Sequence, residues 1–161
     1  MKMIKNKISI YLILIFSIFA IISAYFIQYV LGHEPCNLCL IERIPFLIII
    51  VIISLFLFYK KHEKILLISL SVIFFILLLI SIYHFGIEKG FIKESFVCDL
   101  NTSVKILTKE DILKQLREKP ISCKDVTFKI MGLSLATINI FISFILSIIT
   151  LKLFFNYEKN K

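Results

Sequence analysis

The sequence predicts an all-α membrane protein, a bundle of four transmembrane helices. Three observations predict it. Of 161 residues, 59% are apolar and only 19% charged, against about 45–50% and roughly 25% in soluble domains. Uncharged apolar stretches recur at 8–31, 44–59, 65–87 and 130–151, and lysines gather at their ends. A bilayer core of about 30 Å takes roughly 20 helical residues, so the first, third and fourth stretches span with some tilt. The second is short unless its helix starts earlier, near residue 40. One membrane domain over 1–161 accounts for the whole length.

The first stretch follows Lys2, Lys5 and Lys7. Its apolar run exceeds the roughly 15 residues of a secretory signal and no small-x-small cleavage site follows, so it reads as a retained span. The formal charge of +8 sits mostly on lysines at the membrane boundaries. It addresses the lipid bilayer, and no nucleic-acid motif accompanies it. Both termini share a side with the turn Lys60-Lys61-His62-Glu63-Lys64, where basic residues are densest; positive-inside reasoning makes that side cytoplasmic. Cys36, Cys39, Cys98 and Cys123 all lie in or beside the two opposite connections, 32–43 and 88–129. Thiols confined to one side of a membrane fit an oxidising outer compartment. Together these readings predict a multi-pass membrane protein with cytoplasmic termini and its cysteines on the outer face.

Pro35 suits a first helical position, so the second helix is expected to begin there and run through the cysteine pair. Pro45 should then kink it between Ile41 and Pro45. In the longer connection, Thr108 as N-cap, Asp111 three residues on, and Leu107 with Ile112 as staple predict a short amphipathic helix limited by Pro120. Ile112, Leu113 and Leu116 give it an apolar face to lay on the membrane.

Cys36 and Cys39 form a C-x-x-C pair about one helical turn apart. A helix N-terminus, Arg43 four residues after Cys39, and the low dielectric of the lipid boundary favour a thiolate at Cys39. A zinc site would want a second close pair, and the few histidines complete no recognisable pattern in the sequence. A disulfide across two residues closes almost no loop, so it has little structural value. Redox work is the better reading. Cys98 and Cys123 alone read as a structural bridge; beside a reactive pair, they become an exchange partner able to pass two electrons. Those electrons need an acceptor, and the acceptor dissolved in a bacterial membrane is a quinone, ubiquinone or menaquinone. Arg43 sits where its ring would arrive, with a planar fork suited to developing oxygen charge; otherwise Arg43 is an interfacial anchor. His84, with Glu88 one turn later, relays protons or caps a helix end. Gly132, Ser134 and Ala136 read as small residues for close packing of the fourth span, and Asn139 as an interhelical hydrogen bond.

These residues resemble the bacterial disulfide-bond formation protein B (DsbB) family along nearly the whole chain. The resemblance rests on Pro35-Cys36-Asn37-Leu38-Cys39 followed by Glu42-Arg43, on His84-Phe85-Gly86-Ile87-Glu88, on Cys98-Asp99, and on Cys123 followed by Gly132-Leu133-Ser134-Leu135-Ala136 and Asn139. Where the family often carries a Trp after its last cysteine, this chain has Phe128. The resemblance implies a thiol:quinone oxidoreductase that reoxidises a periplasmic, DsbA-like thioredoxin-fold oxidase. It implies that Cys98 is attacked by the reduced partner, that Cys123 passes electrons to Cys36, that Cys39 forms the charge-transfer complex with quinone, and that Arg43 meets the quinone. The vitamin K epoxide reductase type also combines a helical bundle, C-x-x-C and quinone, but there the loop pair precedes the C-x-x-C; here Cys36 and Cys39 come first.

The reading from another class is a membrane scaffold or small transporter whose disulfides merely brace its outer loops. The apolar stretches hold no acidic residue of the kind that marks an ion path, which counts against transport.

Overall fold

The computed structural model describes residues 2–59, 63–93, 98, 122–124, 128–130 and 132–159. Within them run α1 (Lys2–Tyr29), α2 (Asn37–Tyr59), α3 (Glu63–Glu88), a two-residue hairpin of β1 (Lys129–Ile130) and β2 (Leu133–Ser134), and α4 (Leu135–Glu158). Each helix contains a stretch long and apolar enough to cross a membrane: Ile8–Tyr29, Asn37–Tyr59, Glu63–Glu88 and Leu135–Glu158. The fold is the expected four-helix transmembrane bundle. The amphipathic helix expected between Thr108 and Pro120 lies outside the described residues.

Two helix starts differ from expectation. Helix α2 begins at Asn37, two residues past Pro35, because Cys36 occupies the N-cap. Its carbonyl accepts from Leu40 N–H at 3.2 Å and its sulfur from Cys39 N–H at 3.3 Å, so the side chain satisfies an end donor that Pro35 cannot. The helix continues through Pro45 without ending there. Glu42 lies within this spanning helix and is buried; the expectation of spans free of acids is corrected on this point.

Helix α4 begins at Leu135, five residues later than expected, because the chain first turns back on itself. Lys129 pairs with Ser134 and Ile130 with Leu133 in antiparallel register, and Gly132 takes φ +83° in the turn, a conformation open to glycine. Ser134 is then the N-cap, its Oγ accepting from Thr137 N–H at 3.2 Å. Gly132 and Ser134 thus shape the entry to α4; only Ala136 of the three small residues is buried within that helix.

Helix α2 packs between α1 and α3, and α4 packs along α3. The core of this bundle draws Ile10 and Ile13 from α1, Phe46, Ile49 and Ile53 from α2, and Leu66, Leu70, Phe74 and Leu77 from α3. Ser143, Ser147 and Thr150 of α4 are buried with Ser71 and Ser81 of α3, and their size lets two helix backbones approach where lipid supplies no hydrophobic drive. Ser71, Ser143 and Thr150 return their hydroxyl protons to carbonyls on their own helices, which spares them an unpaired donor in an apolar medium. The outward faces carry Leu12, Ile15, Phe19, Leu55, Phe75 and Phe144 exposed, as a lipid-facing surface requires. At the opposite end from the cysteines, Lys64 joins α3 to α4 through Glu158 at 2.6 Å. Replacing Ser134 with Ala is expected to lower stability by about 1 kcal/mol, read as an earlier unfolding midpoint in detergent, while Ser134→Asp retains most of it; equal midpoints for all three proteins would remove the cap from the account.

Candidate redox site

Both cysteine pairs meet at one end of the bundle. Cys98 and Cys123 are joined as a disulfide with Cα atoms 6.0 Å apart. They pack in one buried cluster with Cys36, Leu38 and Ile87, against which Cys39, Ile41 and Tyr83 lie. Asn37, the first residue of α2, donates from Nδ2 to the Cys98 carbonyl at 3.0 Å, tying the long connection to the C-x-x-C turn. Cys36 and Cys39 are free thiols with sulfurs 2.7 Å apart, so forming a bond between them takes little movement.

Behind Cys36 stands a nucleophile, base and orienting group in sequence. His84 Nε2 lies 3.5 Å from Cys36 Sγ, and His84 Nδ1 lies 3.0 Å from Glu42 Oε1. The other carboxyl oxygen of Glu42 accepts from Asn139 Nδ2 at 3.0 Å. With its Nδ1 hydrogen directed to Glu42, the ring presents Nε2 to the sulfur, the arrangement by which a histidine takes a proton from a thiol. The Cys39 thiol hydrogen-bonded to the Cys36 sulfur, reinforced by His84, holds Cys36 well below an ordinary thiol, at about 5, against the opposing effect of burial. The thiolate expected at Cys39 from helix position therefore falls at Cys36 in this arrangement. The hydrogen bond from the Cys39 thiol decides it, with His84 in support; Arg43 turns elsewhere.

Arg43 reaches across to α1, donating from Nη1 to Gln28 Oε1 at 2.6 Å with its guanidinium carbon 5.3 Å from the Tyr25 ring centroid. This fixes the fork at the wall of a cavity of about 320 Å³ between α1, α2 and α4. Cys39, Glu42 and Arg43 line one part of it, Asn139 another, and Phe16, Phe19, Ile138 and Ile142 supply apolar wall. His33 and Phe128, also lining residues, stack at a tilt with ring centroids 5.0 Å apart. The cavity follows from the packing: α4 lies on α3 and α1 on α2, so a gap opens beside α2.

The six residues singled out by sequence thus fall into one neighbourhood: Cys36, Cys39, Cys98 and Cys123 clustered, His84 on Cys36, and Arg43 at the cavity. His84 is partnered by Glu42, a contact that the sequence reading does not name. Glu42, Gln28 and Tyr25 went unassigned in the sequence, and Asn139 is the expected interhelical bond with a site residue as its acceptor. A carboxyl residue three positions after Cys39 was the available signal for Glu42; no local pattern announces Gln28 or Tyr25, whose role depends on how α1 meets α2.

A dithiol and a disulfide held together at one end of four membrane-crossing helices define a multi-pass membrane protein of thiol–disulfide chemistry. Residues 6–153 match the family described as disulfide bond formation protein DsbB, and the chain belongs to that family. Over 149 residues it is 28% identical to the uncharacterized protein RP370 of Rickettsia prowazekii (strain Madrid E), a match spanning 90% of this chain and 86% of that protein. No solved structure matches it.

In the reduced protein, alkylation of Cys36 is expected to change little between about pH 6 and pH 8, whereas an unperturbed thiol would react roughly tenfold faster per unit. His84→Ala should restore a rising profile. Peptide mapping of the labelled cysteine checks both, and a steep profile in the unsubstituted protein would contradict the assignment.

Proposed function

We propose that this protein is a thiol:quinone oxidoreductase of the bacterial inner membrane, reoxidising a DsbA-like thioredoxin-fold dithiol oxidase on the periplasmic face. The observation that carries the reading is the contact of both cysteine pairs in one cluster, with Cys39 opening onto the apolar cavity that Arg43 borders. Termini in the cytoplasm follow from the lysine-rich turn at the other end.

The exchange balances as follows. A thiolate of the reduced partner attacks Cys98, the Cys98–Cys123 bond breaks, and Cys123 leaves with the electron pair. The partner's second thiol releases the mixed disulfide, so the partner is oxidised and Cys98 and Cys123 are reduced. Cys123 then attacks Cys36 of the oxidised C-x-x-C pair and Cys39 leaves as thiolate; Cys98 resolves the Cys36–Cys123 bond. Two electrons and two protons now reside on Cys36 and Cys39. Asn37 keeps Cys98 beside the C-x-x-C turn throughout.

The cavity suits a quinone: its walls are apolar, and the polar groups are few and convergent. Arg43 would hold a ring oxygen, with Phe16, Phe19, Ile138 and Ile142 against the ring and tail. A bound quinone supplies a two-electron, two-proton acceptor. His84 takes the Cys36 proton at Nε2, and Glu42, which contacts both His84 and the cavity, carries protons from the imidazole toward that space. Gln28 and Tyr25 hold the Arg43 fork in place, a geometry a lysine could not replace.

Purified protein given reduced partner oxidase and ubiquinone or menaquinone should consume the quinone, and Cys39→Ser or Cys98→Ser should stop it. Turnover undiminished in Cys39→Ser would end the proposal. Arg43→Ala should raise KM for quinone at least tenfold, about 1.4 kcal/mol, with a smaller change in KM for the thiol partner; equal changes would leave Arg43 an anchor. Thiol labelling from outside intact cells tests the periplasmic placement.

A further inference from the structure

The reduced C-x-x-C pair and His84 have the composition and spacing of a soft-metal site. Their three ligand atoms, the sulfurs of Cys36 and Cys39 and a nitrogen of His84, all lie within 4.8 Å of one another. Tetrahedral zinc with Zn–S near 2.3 Å and Zn–N near 2.0 Å needs ligand separations of roughly 3.5 to 3.8 Å. The separation of Cys36 Sγ from His84 Nε2 is already 3.5 Å. The sulfur pair, at 2.7 Å, has to open by about 1 Å, a small side-chain rotation.

A second observation points the same way. A metal-binding imidazole almost always gives its other nitrogen to a carboxylate, which fixes the tautomer and raises the basicity of the ligating nitrogen. His84 Nδ1 lies 3.0 Å from Glu42 Oε1, and Asn139 secures the other oxygen of that carboxyl. Cys36 and His84 are buried at 6% and 5% exposure, so the ligands are held in place before any ion arrives. Cys39 also lines the cavity, leaving a fourth coordination position for water.

We infer that the reduced protein binds one zinc(II) ion through Cys36, Cys39 and His84, and that oxidation of the pair abolishes the site. On binding, the Cys39 S–H bond and the proton shared between Cys36 and His84 Nε2 give way to two S–Zn bonds and one N–Zn bond, and up to two protons pass to solvent; no electron moves. A disulfide has no thiolate to offer, so the same two sulfurs hold either the metal or each other. A metal seated there withholds both sulfurs from exchange. Hard ions such as magnesium find no oxygen set among these three ligands. The inference rests on the ligand geometry alone and stands whether or not a quinone is the electron acceptor.

The test uses the full-length protein in detergent, with Cys98→Ser and Cys123→Ser present so that the second pair cannot contribute thiolates. Reduced protein titrated with cobalt(II) should develop sulfur-to-metal absorption that saturates at one equivalent and is displaced by zinc(II). The same protein oxidised by diamide should develop none, a comparison that needs no further variant. Cys36→Ser should abolish the signal, and His84→Ala should weaken binding at least tenfold. Glu42→Gln should weaken it by 10- to 100-fold if the carboxyl orients the ligand. Zinc should also protect Cys36 and Cys39 from alkylation until a chelator is added. Equal metal uptake by reduced and oxidised protein, or reduced protein that binds no metal, would overturn the inference; unchanged affinity in His84→Ala would do so too, since the cysteines would then act without the histidine.

Discussion

A carboxyl group inside a lipid-embedded bundle is tolerated only when its oxygens are hydrogen-bonded, and Glu42 meets that condition with one bond to α3 and one to α4. His84 takes Oε1 and Asn139 takes Oε2. Because Glu42 is on α2, the clamp joins three helices at the level of the cysteines. Its removal would leave the buried Nδ1 of His84 and the half-buried amide of Asn139 without these partners, and the loss of such partners is more expensive than the net value of each bond. The orientation of His84 toward Cys36 depends on this clamp, and so does the wall that Glu42 and Asn139 contribute to the cavity. The hydrophobic core lower in the bundle holds the helices together. Glu42 sets their angular register where the chemistry lies.

The two cysteine pairs are held by different means, which suits different tasks. Cys98 and Cys123 come from the long connection and close a large loop, so their bond also restrains that segment; Asn37 pins its carbonyl side to α2. Cys36 and Cys39 close almost nothing and gain no comparable chain constraint from being bonded. Their geometry instead stabilises the separated form: the Cys36 sulfur caps the helix through Cys39 N–H and faces His84. A pair whose thiolate is favoured by its surroundings is a more oxidising disulfide. In the exchange proposed above, that asymmetry sends electrons from the loop pair toward the helical pair, and it arises from one turn of helix and one imidazole.

Most of the architecture was legible in sequence because lipid imposes a simple rule: backbone polar groups must be satisfied within each span, so length and hydropathy reveal the helices. The positions of Cys36, Cys39, Arg43 and His84 were legible as motifs. Helix ends were not, since a cap is set by a few atoms: the Cys36 sulfur moved the start of α2 past Pro35, and a hairpin around Gly132 delayed α4. The contact between His84 and Glu42 is hidden from the sequence for a related reason. Glu88 is one turn away along the same helix, a relation visible in the sequence, while Glu42 is 42 positions distant and reaches His84 only once α2 and α3 are packed.

Gln28 and Tyr25 show what lies wholly beyond local pattern. Along α1 they read as an interfacial amide and an interfacial phenol, common enough at a membrane boundary. Packed against α2, they hold both the donor edge and the face of one guanidinium, so Arg43 is preorganised before any anion approaches. An arginine left free in that position would lose side-chain entropy on each binding event. Here α1 bears that loss during folding. The first helix therefore does more than cross the membrane: it fixes the charge that faces the cavity, while α2 carries the sulfur chemistry and α3 and α4 secure the acid and base behind it. Each of the four spans contributes one part of the site, and the function is a property of their packing.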